Sequence, residues 1–100
     1  MKRSLLFPGM IVQTQHMAEA IAADAMRSFE INECLSKHLR GDFSGMEFEE
    51  DRKLNEEAFE SGEGRVFTDF KTSFGEIWII TDQCDNVKDN VTTILFPEDY

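Results

Sequence analysis

The feature that most constrains the fold is a change in hydrophobic spacing past the middle of the chain. Up to about residue 60, apolar residues recur every three or four positions, as on one side of an α-helix. From Arg65 onward, short runs rich in β-branched and aromatic residues alternate with turn residues, which is typical of strands. One hundred residues can bury a core without disulfides or metal. The sequence therefore predicts a single α+β domain over residues 1–100.

Helical spacing predicts two elements before residue 41. The first runs over about 15–26, behind a helix cap at Thr14. The second begins near Ser28 and stops at Gly41, since glycine commonly follows the last turn of a helix. One longer helix with a bend would satisfy the same pattern.

A third helix is predicted over about 46–60. Ser44 followed by Glu47 has the spacing of a capping box, which marks a helix start. The side of this helix that faces the core is expected to carry Phe48, Asp51, Asn55, Ala58 and Phe59.

Three strands are predicted over 65–70, 76–81 and 91–96. The turn at 73–75 joins the first two as a hairpin. We expect a three-stranded antiparallel meander in the C-terminal half, with the N-terminal helices packed on one face. A fourth strand over 5–12 has a weak signal.

The middle strand is apolar on both faces. Ile77, Ile79 and Thr81 point to one side, whereas Trp78 and Ile80 point to the other. Helices on one face do not account for both. We therefore expect the N-terminal segment or another molecule, such as a second copy in a homodimer, to cover the second face.

Negative charge dominates the composition, with 20 acidic against 10 basic residues and a formal net charge of −10. Residues 42–63 hold nine acidic and two basic residues, a net charge of −7. Such a chain is unsuited to nucleic-acid phosphates or an anionic membrane, so the expected partner is a basic protein surface. The alternative is a solvated helix face, with a Glu49–Lys53 pair, that serves solubility. The candidate partner-binding residues are Glu47, Glu49, Glu50, Glu56, Glu57 and Glu60.

A candidate polar site consists of His38, Asp42, Asp51 and Asn55, with Asp69 beside it. A histidine and several carboxylates can bind a divalent metal or act as acid and base. The same residues can equally satisfy helix ends and loop backbone. No spacing here matches a known ligand set or nucleophile motif, and Cys34 and Cys84 form no CxxC pair. We therefore predict no catalytic residue, no metal and no cofactor.

Nothing in the sequence directs the chain to a membrane or out of the cell. The segment 1–12 is interrupted by Pro8 and Gly9, so it lacks the continuous apolar stretch of a signal peptide. No apolar run is long enough to span a bilayer. The predicted location is the bacterial cytoplasm.

Several short segments, taken in order, resemble a family of small plasmid-related proteins from bacterial plasmids, integrative elements and phages. The resemblance covers roughly residues 31–100, and its most specific parts are Trp-Ile-Ile-Thr at 78–81 and Thr-Thr-Ile-Leu-Phe-Pro at 92–97. The chain departs from the family pattern at Phe43, at 68–70 and in the longer loop 82–90. The other matching segments are 35–38, 41–43, Asp51, Asn55, 64–65 and Tyr100.

This resemblance implies a mobile-element context but no established activity. Three hypotheses stay open at this point. The first is a non-catalytic acidic binding protein, for example a nucleic-acid-mimic-like inhibitor of a host defence or nucleic-acid-binding protein. The second is a small metal-dependent enzyme using His38, Asp42 and Asp51, and the third is a structural homodimer.

Overall fold

The computed structural model describes residues 5–100 and confirms an α+β architecture with a mixed sheet. Residues 1–4, part of the segment predicted not to be a signal peptide, lie outside this range. In chain order the elements are β1 (Met10–Gln13), α1 (Gln15–Ala23), α2 (Met26–Leu39), α3 (Glu49–Ser61), β2 (Gly64–Thr72), β3 (Gly75–Gln83) and β4 (Val91–Leu95).

The sheet has four strands in the order β1-β4-β3-β2. Strands β2, β3 and β4 form the predicted antiparallel meander, and Thr72 pairs with Gly75 across the predicted hairpin. The three-stranded meander is incomplete, because β1 adds a fourth strand, parallel to β4 with Met10 opposite Val91, at the end of the segment 5–12 that had the weak strand signal.

Strand β1 is held beside β4 by the residues around Asn90. The Asn90 side chain donates from Nδ2 to the carbonyl oxygen of Phe7 at 2.8 Å, and the backbone carbonyl oxygen of Asn90 accepts from Met10 N at 3.1 Å. Between these contacts Gly9 adopts φ 63°, and a Cβ there would lie 1.7 Å from the Asn90 oxygen. Only glycine therefore permits this approach.

Helices α1 and α2 are separate. The Thr14 hydroxyl oxygen accepts from Met17 N at 3.2 Å, which confirms the predicted cap. The second helix begins before Ser28, because the Asp24 carboxylate accepts a hydrogen bond from Met26 N at 3.0 Å and satisfies the new helix end.

Helix α3 begins later than predicted, and the capping box does not form. The Ser44 hydroxyl donates instead to the Asp42 carboxylate at 2.6 Å, and Phe48 takes the cap position without a side-chain hydrogen bond. The inward side is only partly as expected. Its core-facing residues are Asn55, Ala58 and Phe59, whereas Phe48 is 63% exposed and Asp51 is exposed.

Two apolar clusters lie between the helices and the sheet. One joins α3 and the 43–46 loop to β2 through Leu6, Phe43, Met46, Ala58, Phe59 and Val66. The other joins α1 and α2 to the strands through Met17, Ile31, Ile77, Ile79, Ile94 and Phe96.

A continuous hydrogen-bond chain starts from the fully buried His38 of α2. Its Nδ1 lies 2.7 Å from the Thr68 hydroxyl and its Nε2 lies 2.8 Å from the Thr81 hydroxyl. Thr81 Oγ1 lies 2.7 Å from Thr92 Oγ1, which donates to the carbonyl oxygen of Pro8 at 2.8 Å. Because that carbonyl can only accept, Thr92 donates to it, Thr81 donates to Thr92, and His38 donates to Thr81 from Nε2. Burial lowers the pKa of His38 and keeps the imidazole neutral, so Nδ1 accepts from the Thr68 hydroxyl.

Strand β1, which the N-terminal segment forms, does not cover the second face of the sheet. Strand β1 lies at the sheet edge, and it is the turn after β4 that brings Tyr100 to within 5.6 Å of Trp78, between ring centroids. Arg65 Nη1 donates to the Tyr100 hydroxyl at 2.7 Å, and Phe67 packs on Trp78 at 4.8 Å. The homodimer, whose test is the oligomeric state, stays a prediction.

Replacing Gly9 by alanine should destabilise the fold by about 2 kcal/mol or more, because a Cβ would clash with backbone and strain a positive φ. Gly45→Ala is the matched control, since a Cβ there meets nothing within 4 Å. Its effect should stay within about 0.5 kcal/mol. Urea unfolding of both variants measures the difference, and equal stabilities would contradict the described approach of Gly9 to Asn90.

Acid should weaken the fold through His38. Burial lowers the pKa of His38 from 6.5 to about 4. Between these values only the unfolded chain takes up the proton, so stability falls as pH drops through that window, by roughly 3 kcal/mol in total. We expect the free energy of unfolding of the protein to fall more steeply from pH 7 to pH 4 than that of a His38→Gln variant, which has no imidazole to protonate. Parallel pH profiles would rule out this role for His38.

Candidate functional site

The side chain of Asn55 in helix α3 bonds to the edge of the sheet as the backbone of a neighbouring strand would. Asn55 Oδ1 accepts from the backbone N–H of Phe67 at 2.9 Å, and Asn55 Nδ2 donates to the carbonyl oxygen of the same residue. Both groups belong to the edge of β2 that, among residues 5–100, pairs with no other strand. Ala58 and Phe59 are buried beside this contact. The opposite side of the helix is therefore held facing outward.

The outward side of α3 carries most of the candidate partner-binding residues. All six are exposed and form what we call the acidic surface: Glu47, Glu49, Glu50, Glu56, Glu57 and Glu60. The helix itself has six acidic residues and two basic ones, a net charge of −4. Lys53 Nζ lies 3.7 Å from Glu49, which confirms the predicted pair. Such an exposed pair is worth only about 0.3–0.5 kcal/mol and leaves the surface strongly negative.

A groove of about 590 Å³ separates α3 from the turn after α2. Its lining mixes three cationic with four acidic side chains: Arg40, Arg52 and Lys53 with Asp42, Glu49, Glu56 and Glu60. Hydrogen bonds from the Ser44 hydroxyl and backbone N–H lower the pKa of the Asp42 carboxyl, so this turn keeps its negative charge. The groove therefore adds polar surface beside α3, but charges of both signs line it.

The candidate polar site is dispersed over different environments. His38 uses both ring nitrogens for threonines in the core, whereas Asp42 bonds within its own turn. Asp51 is exposed on α3, and Asn55 holds the edge of β2. Within residues 5–100, no group of three or more His, Cys, Asp or Glu side chains is arranged to hold a metal ion. His38, Asp42 and Asn55 form hydrogen bonds within the fold that the sequence pattern allowed but did not specify.

The pair His16 and Asp99 was missed by sequence reasoning. His16 Nδ1 lies 2.9 Å from the Asp99 carboxylate, whose other oxygen accepts from the Thr14 hydroxyl at 2.8 Å. The hydrogen bond to Asp99 raises the pKa of His16. A histidine oriented by a carboxylate can act as a general base, but the cleft beside it, which also contains Arg27, has no Ser, Cys or Lys in its lining within the described chain. Together with the Thr14 contact, the pair joins the turn after β4 to the start of α1. A separation of 83 residues leaves no local sequence signal.

Comparison with protein-family models, with curated proteins and with solved structures finds no match for this chain. None of the helices described over residues 5–100 has the length and apolar character needed to cross a bilayer.

The two histidines should titrate far apart. His16 is expected to titrate above pH 6.5 because of Asp99, whereas the pKa of His38 lies at about 4. Proton NMR of the imidazole signals measures both values. In an Asp99→Asn variant, the pKa of His16 should fall toward 6.5 while that of His38 stays unchanged. A His16 pKa that ignores this substitution would contradict the described pair.

Proposed function

We propose that this chain is a non-catalytic protein-binding module that presents the acidic surface to a basic surface of another protein. The observation that supports this most is the concentration of charge. Residues 42–63 carry −7 of a total of −10, and the six glutamates of the acidic surface are exposed on or next to one helix. Since the inward side of that helix is tied to β2 through Asn55, the glutamates are displayed on a rigid support.

Charge of this kind acts mainly on association. A field of one sign steers an oppositely charged partner and raises the association rate, and it also excludes acidic partners. Solubility alone would be served by the same charges spread over the whole surface. The remaining 78 residues carry a net charge of only −3, and this unevenness favours binding over solubility.

The proposed partner is a nucleic-acid-binding protein of the host, such as a defence protein, because such proteins display basic surfaces. The protein would then act as an inhibitor for a mobile genetic element, as the resemblance to plasmid-related proteins suggests.

The charge density of α3 limits how closely the protein can imitate a nucleic acid. Helix α3 has 13 residues and a net charge of −4, over roughly 20 Å. Duplex DNA carries about 12 charges over that length. The helix can therefore occupy part of a basic groove, but it does not reproduce a duplex.

The experiment compares two triple variants with the same change of net charge. Glu50, Glu56 and Glu57 are changed to Gln in one variant, and Glu19, Glu33 and Glu98 are changed to Gln in the control; all six are exposed. The protein and the control variant should retain a basic protein from host lysate at low salt and release it at high salt, and the α3 variant should bind it at least tenfold more weakly.

The identified protein is then purified, and its affinity for the three forms is measured at two salt concentrations. Equal affinity for both triple variants, or binding that does not weaken with salt, would refute the proposal. Failure to retain any basic protein at low salt would count against it equally.

A further inference from the structure

A second feature lies beside the acidic surface, where the start of α3 meets the outer face of β2 and β3. A cleft of about 160 Å³ opens there, and three aromatic side chains, Phe48, Phe67 and Trp78, contribute to its lining. Small-molecule sites usually measure roughly 300–1,000 Å³. The space suits the head group of one side chain, and we call it the aromatic cleft.

The aromatic residues are held by different parts of the fold. Phe67 and Trp78 pack edge to face at 4.8 Å, and Trp78 Nε1 donates to Glu76 at 3.1 Å. Tyr100 supports Trp78 from the other side of the cluster at 5.6 Å. Phe48 is 63% exposed at the cap position of α3, although its ring has the size and polarity of a core residue.

The same lining is strongly negative. It contains four carboxylates, on Glu47, Asp51, Asp69 and Glu76, and, within the described chain, no Lys or Arg. The start of α3 adds a partial positive charge of roughly half a unit, which four carboxylates outweigh.

In the free protein, the surroundings of Asp69 disfavour the negative charge of its carboxylate. Partial burial, together with the negative charges of Glu76 and Asp51, raises the pKa of the Asp69 carboxyl. The positive charge of Lys71 acts in the opposite direction and lowers the Asp69 pKa. However, no ion pair within 4.0 Å joins Asp69 to another of residues 5–100. A cation entering the cleft would relieve this unfavourable environment.

We propose that the aromatic cleft binds the guanidinium group of an arginine side chain that projects from the basic partner. Aromatic rings attract cations, and arginine is the more frequent partner because its planar group also stacks on a ring. The same group donates paired hydrogen bonds to carboxylates, which surround the rings here. A metal ion would not use the rings, and a neutral side chain would leave the carboxylates unpaired.

This inference rests on the proposed function for the origin of the arginine, but the cleft can be tested without any partner. The probe is N-acetyl-arginine amide, compared with N-acetyl-citrulline amide, which has nearly the same shape and no charge, and with N-acetyl-lysine amide. Trp78 is the only tryptophan, so its fluorescence reports on the cleft directly. NMR shifts of its indole N–H give a second readout.

The arginine probe should bind at least tenfold more tightly than the citrulline probe and more tightly than the lysine probe. Phe48→Ala and Asp69→Asn should each weaken arginine binding at least threefold. Phe29→Ala is the matched control, because Phe29 is 67% exposed on α2 and does not line the cleft. Equal binding of the arginine and citrulline probes, stronger binding of lysine, or equal effects of Phe48→Ala and Phe29→Ala would overturn the inference.

The triple variant of Glu50, Glu56 and Glu57 separates this inference from the proposed function, because none of these residues lines the cleft. It should bind the arginine probe within twofold of the unmodified protein. If the arginine probe fails to bind while partner binding still depends on the triple change, the cleft inference is wrong and the proposed function stands. If the probe binds as expected while the triple change leaves partner binding intact, the proposed function is wrong and the inference that the cleft binds a guanidinium group stands.

Discussion

The fold depends on the hydrogen-bond chain that begins at His38. Through Thr68, Thr81 and Thr92 this single imidazole joins α2 to three strands, and the last hydroxyl reaches Pro8 beside the fourth. Burying polar groups in a core is costly unless each one is paired, and here every donor and acceptor in the chain has a partner. Apolar side chains could fill the same space, but they would not fix the relative position of these elements, since dispersion contacts have no direction. This series of hydrogen bonds therefore fixes the position of α2 relative to the strands.

Asn55 has a comparable function at the sheet edge. By bonding to both backbone groups of Phe67, it uses an edge that would otherwise be open to another strand. The opposite edge is treated differently, because β1 has only four residues and exposes Met10, Ile11 and Val12. At one edge of the sheet a helix side chain thus takes up the backbone groups of Phe67, and the strand at the other edge is short.

The sequence predicted the elements far better than it predicted what their polar residues do. Thr14, the 73–75 turn and the three antiparallel strands were identified because their signals are local. Strand β1 depends on Asn90, which is distant in the chain, and the capping box failed because Asp42 competes for Ser44. The six glutamates were expected to be exposed, and they are. The aromatic cleft was not anticipated, since Phe48 was expected to be buried on the inward side of α3. Periodicity placed Asn55 on the inward side correctly, but it does not reveal that the helix begins only at Glu49 and leaves Phe48, at the cap position, exposed.

The positions of the acidic surface and the aromatic cleft have a consequence for how a complex would form. The acidic surface lies along the outward side of α3, and the aromatic cleft lies at the start of the same helix. Glu47 belongs to both. Long-range attraction by exposed carboxylates is weakly selective and is reduced by salt, since the screening length is about 8 Å at physiological ionic strength. Contact with aromatic rings acts only at short range and is screened far less. In the proposed complex, the acidic surface would therefore govern how fast a basic partner arrives. The cleft would govern how long the partner stays, because an arginine seated among the rings must be withdrawn before the two proteins separate.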